Sequence, residues 1–154
     1  MGFRESMIAV AIGASLRATV VAKNLGIVLG ADGMMRLFPD TVRIPDVAFI
    51  AWERLPGGKI PTEAIPAVAP NLAIEVLSES NTPGEMKRKR ADYFGSGVEL
   101  VWEFDCDDRT VTVYTAPDTR AVLTEQDVLS GDRVLPDFQL RLAELFAELD
   151  RSSR

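Results

Sequence analysis

The chain has 154 residues, 47% of them hydrophobic and 26% charged, and its 17 Lys or Arg against 23 Asp or Glu leave a net charge of −6. That length suits one domain, 1–154, with a real core. The absence of histidine and the presence of one cysteine, Cys106, exclude histidine-based triads, histidine or cysteine-cluster zinc sites and an internal disulfide. Hydrolytic chemistry would therefore have to run on carboxylates, lysines, hydroxyls and a hard metal such as Mg²⁺. The acidic balance argues against indiscriminate nucleic-acid binding but leaves room for a local basic groove.

From the N-terminus, Met7 to Leu16 is apolar-rich with Arg4 ahead of it. Glu5 interrupts any leader-like charge pattern, and Ile8, Ala11, Ile12, Leu16 and Val20 follow a helical period. Residues 4–24 therefore read as a helix of the domain, with Gly26 just past its end, and the protein as cytoplasmic, with no membrane span. Leu25 to Leu29 and Met34 to Phe38 read as short strands around the turn Ala31-Asp32-Gly33, and Arg43 to Trp52 as a strand entered through Pro45-Asp46. Arg54 to Pro70, with four prolines and two adjacent glycines, reads as a long loop with a functional or mobile role.

Pro70 to Ser78 is an apolar run of strand length with Glu75 in its middle. Thr82-Pro83-Gly84-Glu85 is a helix start: threonine at the cap, proline at the first helical position, glutamate three after the cap. That helix runs to about Phe94 and stops at Gly95 and Gly97. In Val98 to Phe104 the apolar side (Val98, Leu100, Trp102, Phe104) alternates with Glu99, Val101 and Glu103, and Thr110 to Thr115 alternates again, so the two read as a hairpin. Arg120 to Thr124 adds an edge strand, Ser130-Gly131-Asp132 a turn, and 141–149 a closing helix with Leu142, Leu145, Phe146 and Leu149 inward. This order predicts an α/β (α+β) architecture, a mixed central sheet flanked by helices.

Pro-Asp occurs four times (Pro39-Asp40, Pro45-Asp46, Pro117-Asp118 and Pro136-Asp137) and is ordinary turn punctuation. Only Pro45-Asp46 is followed by an apolar strand and then by a second strand with a central acid. A carboxylate inside a buried strand is costly unless it meets a cation, a metal or several hydrogen bonds. Two readings follow for Glu75: a buried ion pair with a lysine or arginine, or a metal ligand facing Asp46 across paired strands. Two carboxylates with a main-chain carbonyl, that of Val76, suit an octahedral Mg²⁺ that keeps water in its open positions. The four charges Lys87-Arg88-Lys89-Arg90 cannot share one helix face. Lys89, four residues before Tyr93, points inward if Tyr93 does, near Glu75, and the outward arginines are left to contact phosphates.

Pro45-Asp46, then Leu72-Ala73-Ile74-Glu75-Val76-Leu77-Ser78, then Lys89-x-x-x-Tyr93-x-x-x-Gly97-Val98-x-x-Val101-Trp102-x-x-Asp105 together resemble the Uma-two family. That family is grouped with the restriction-endonuclease-like PD-(D/E)xK superfamily. The resemblance implies a restriction-endonuclease-like fold and DNA cleavage dependent on Mg²⁺ (or Mn²⁺), with Asp46 as the motif aspartate, Glu75 as the second acid and Lys89 as the catalytic lysine. The superfamily lysine would stand two residues after Glu75, where this chain has Leu77, so the resemblance moves its role to Lys89. It also implies a leading segment with a third acid ahead of the first helix, for which Glu5 is a weak substitute. By superfamily analogy the protein is expected to be a homodimer, since cutting two strands calls for two sites. The alternative is a catalytically inactive nuclease-fold protein that binds nucleic acid or a protein partner.

Overall fold

The computed structural model describes residues 1–154. It begins with helix α1 (Phe3–Ala22), on which Ile8, Ile12, Leu16 and Val20 recur at helical spacing and are fully buried. By length and composition this helix is apolar enough to cross a membrane. In the fold α1 packs one face into the core. The residue that ends the helix by adopting a left-handed conformation is Asn24, with φ 50°, rather than Gly26. Gly26 instead opens strand β1 (Gly26–Leu29), where a Cβ would stand 2.0 Å from the carbonyl oxygen of Ile50. Only glycine permits that approach.

The next elements are β2 (Met35–Phe38), β3 (Thr41–Arg43) and β4 (Val47–Ala51). The segment read as one strand, Arg43 to Trp52, is divided at Ile44-Pro45: a proline has no N–H for a ladder. Its first part pairs with β2 as a separate hairpin, and only β4 joins the main sheet. The segment 54–70 is anchored at both ends. Leu55 and Val68 are buried with Met35, Ala48 and Ile50, and the Arg36 N–H donates to the Pro66 carbonyl at 2.9 Å.

Strand β5 (Leu72–Leu77) is followed by helix α2 (Pro83–Gly95) and strand β6 (Leu100–Asp105). Thr82 and Glu85 form the expected reciprocal capping box at the start of α2. Strands β7 (Thr110–Ala116) and β8 (Thr119–Leu123) complete a six-stranded sheet in the order β1-β4-β5-β6-β7-β8. Only β5 and β6 run parallel, and α2 is their crossover.

The chain then makes a hairpin, β9 (Val128–Gly131) with β10 (Leu135–Arg141), where the sequence suggests only a turn. Its register shifts between Leu135 and Gln139, which erases the alternation that would betray a strand. Helix α3 (Leu142–Phe146) continues as a 3-10 turn to Asp150, shorter than the anticipated 141–149 helix.

The period of two divides the labour between the faces. Val47 and Phe49, Leu72, Ile74 and Val76, and Leu100, Trp102 and Phe104 point to α1 and α3, forming a core in which Trp102 stacks on Phe138 at 5.7 Å. The opposite face carries Ala73, Val101 and Tyr114 beneath Tyr93 of α2, and on that face the acids lie. Because Gly26 faces backbone, Gly26→Ala should cost about 2 to 4 kcal/mol or prevent folding, read as a lowered urea midpoint.

Candidate active site

The register of the sheet assembles the site. Val47 pairs with Ile74 and Ala48 with Ala73 in the antiparallel β4–β5 ladder, so the next step outward sets Asp46 opposite Glu75. In the parallel ladder Glu75 pairs with Glu103. Three acids from three consecutive strands thus form one row across the sheet, with neighbours separated by the strand spacing of about 5 Å.

Each acid has a different environment. Glu75 is buried, with 6% of its side chain exposed. Its Oε1 accepts the Tyr93 hydroxyl at 2.7 Å and lies 3.7 Å from Lys89 Nζ. The inward turn of Lys89 with Tyr93 is as the helical spacing predicts, but Lys89 is shared, since Glu85 Oε1 is also 3.7 Å away. Asp46 sits where β4 pairing begins and is half-buried. Its Oδ2 accepts the Val76 N–H at 2.7 Å, a donor with no strand partner on that side. The Val76 side chain points away into the α1 core. Glu103 is held by Arg90 Nη1 at 2.7 Å, and the Arg90 guanidinium lies 4.4 Å above the Tyr114 ring.

Arg90 therefore does not face solvent for phosphate contact, contrary to the expectation for the arginines of this helix; Lys87 and Arg88 are the exposed pair. Tyr93 as a hydrogen-bond donor and Glu103 as the third member of the row escape sequence reasoning. The polar side of the β6 alternation carried the signal for Glu103, and the strand register turns it into a position.

The electrostatics leave the row short of positive charge. Three carboxylates face two cations from α2, and one of those cations is shared with Glu85. Burial pushes the Glu75 carboxyl up to about 7, against the pull of Lys89 and the Tyr93 hydrogen bond, with Asp46 and Glu103 adding repulsion. Burial raises Asp46 as well, opposed first by the Val76 N–H. Burial likewise raises Glu103, which Arg90 counters.

No group of three or more His, Cys, Asp or Glu side chains converges as a ready metal cage. Mg²⁺ does not require one, since it binds through one or two carboxylates and retains water. Asp46 and Glu75 each give one oxygen to a protein donor. A two-carboxylate oxygen set in an under-compensated acidic row fits such an ion. Asp46 also opens onto a cleft of about 370 Å³ beside α1, lined by Gly13, Val28 and Gly30 and by the exposed Arg17.

The model of a family described as a putative restriction endonuclease, Uma-two, matches residues 1–143. Among solved structures, the chain is similar to a crystal structure of a putative nuclease belonging to DUF820 from Anabaena variabilis. The TM-score is 0.85 at 21% identity, and the match covers 97% of this chain and 83% of that one. That likeness is one of fold: the mixed six-stranded sheet flanked by helices is nuclease-like. Comparison with curated proteins finds no match.

The raised carboxyl of Glu75 has a consequence for stability. The folded state holds its proton more tightly than the unfolded chain, so the associated stability is complete below about pH 4.5 and is lost as pH rises through about 7. Metal-free protein should lose on the order of 2 to 3 kcal/mol across that window from this residue. Glu75→Gln, which keeps an acceptor for Tyr93, should flatten the dependence and raise the denaturation midpoint at pH 8. A Glu75→Gln chain that unfolds would mean that the Lys89 ion pair is a structural requirement.

Proposed function

The chain belongs to the Uma-two family of putative restriction endonucleases, and from that premise we propose that it hydrolyses DNA phosphodiester bonds with Mg²⁺ or Mn²⁺ at Asp46, Glu75 and Lys89. The observation that carries this reading is the register-opposed pair Asp46 and Glu75 with the Lys89 ammonium 3.7 Å from the latter. Asp46, Glu75 and the main-chain carbonyl of Val76 are the donors proposed for the ion. A bound divalent ion would polarise a phosphoryl oxygen and raise the acidity of water at neutral pH.

The chain's own groups supply the rest. Tyr93 fixes the orientation of Glu75 by its hydrogen bond, and the Val76 N–H does the same for Asp46. Lys89 is the lysine ammonium beside Glu75; it orients the attacking water and offsets charge that grows on the phosphoryl oxygens. Arg17 in the cleft beside Asp46, with Lys87 and Arg88 on the outer face of α2, supplies cations for the DNA backbone. Action on both strands is taken to use two copies of the chain as a homodimer, an argument from the fold class alone.

Calorimetry with Mn²⁺ and a plasmid-nicking assay test the reading. The parent should bind one ion and nick DNA, whereas Asp46→Ala and Glu75→Ala should lose both while remaining folded by circular dichroism. Lys89→Ala should retain the ion and cut about a hundredfold or more slowly. DNA binding that weakens with salt but never leads to turnover in either metal would overturn the catalytic reading in favour of an inactive DNA-binding relative.

A further inference from the structure

Two cations stand side by side on α2, and two carboxylates stand side by side on β5 and β6. Lys89 and Arg90 are successive helix residues, and Glu75 and Glu103 are in-register partners in a parallel ladder. Glu75 and Glu103 stand one strand spacing, about 5 Å, apart, a step that a long arginine side chain can span. The structure nevertheless shows one assignment. Arg90 is bound to Glu103 at 2.7 Å, and Lys89 stays at 3.7 Å from Glu75, outside hydrogen-bond distance.

A guanidinium is the stronger claimant for a carboxylate, being planar and able to donate two bonds at once. Left free, Arg90 would take Glu75 and occupy the oxygens that the site needs. Two features prevent this. Glu103 offers a carboxylate of its own, and the Tyr114 ring lies under the guanidinium at 4.4 Å, an attraction worth more as water is excluded. In this arrangement Arg90 Nε is buried without a hydrogen-bond partner, a cost the protein bears at this position.

We propose that Glu103 is a positioning residue: with Tyr114 it sequesters Arg90, so that the cation facing Glu75 is the loosely held ammonium of Lys89 and the carboxylate oxygen not bound by Tyr93 stays open for a divalent ion. The part that concerns the ion rests on the nuclease reading above. The partition of the two cations does not.

A stability cycle in metal-free protein at pH 8 tests the partition, using urea midpoints of the parent, E75Q, E103Q and E75Q/E103Q. In the parent background E75Q should raise the midpoint. In the E103Q background, where Arg90 has moved to Glu75, E75Q should lower it. Shifts of the same sign and size in both backgrounds overturn the proposal.

Mn²⁺ calorimetry tests the consequence. E103Q should weaken binding about tenfold or more, and R90Q/E103Q, which removes the displaced cation, should return it to within about threefold of the parent. Unchanged affinity in E103Q overturns the proposal. Absence of binding in the parent instead removes the metal reading, and the stability cycle then decides the partition by itself. Should E103Q fail to fold, R90Q/E103Q must fold, because the fault is then the displaced arginine; failure of both overturns the proposal.

Discussion

A carboxylate in the middle of a buried strand is the constraint around which this fold is arranged. Glu75 lies on β5, a central strand whose flanking residues Ile74 and Val76 are sealed into the main core. The strand cannot turn its acid toward bulk water without turning that core out. Everything on the α2 side answers to this placement: the phenol of Tyr93, the ammonium of Lys89, and the neighbouring acids whose repulsion raises the Glu75 carboxyl further. A buried charge so incompletely matched is weak evidence for stability and better evidence for use.

The division of the sheet into a dry face and a charged face makes that arrangement affordable. On the α1 side, buried aliphatic and aromatic side chains hold the strands in register. Register, in turn, is what aligns Asp46, Glu75 and Glu103. The polar contacts need only orient side chains, because hydrophobic burial elsewhere fixes the backbone positions. Arg54 gives a parallel case at the end of the sheet. It donates to the Pro70 carbonyl at 2.9 Å and to Glu99 at 3.0 Å, which ties the long loop to the start of β5.

Much of the site was legible in the sequence because its logic is periodic. Alternation along β6 already set Glu103 apart from Trp102, and the four-residue spacing from Tyr93 already turned Lys89 inward. The nuclease-like fold was legible from the motif block that runs from Pro45 to Asp105. What could not be read depends on pairing. Nothing local says that the run from Arg43 breaks at Pro45 into strands of two different sheets, because either half alone looks like a strand. The β9–β10 hairpin was hidden by its register shift. The fate of Arg90 was hidden too: nothing local separates it from Arg88, and only the presence of Glu103 and Tyr114 beneath the helix turns it inward.

The crossover that joins β5 to β6 carries a temporal implication. Glu75, Lys89, Arg90, Tyr93 and Glu103 all come from one uninterrupted stretch of chain, strand–helix–strand, whereas Asp46 arrives from the antiparallel half that precedes it. A nascent or partly unfolded molecule can close the first group by local contacts, and these form ahead of distant ones. The aspartate joins only when β4 zips onto β5 and the Val76 amide finds its acceptor. Until that moment the acid row lacks its outermost member, so the row is completed by the tertiary fold and not by the strand–helix–strand unit alone.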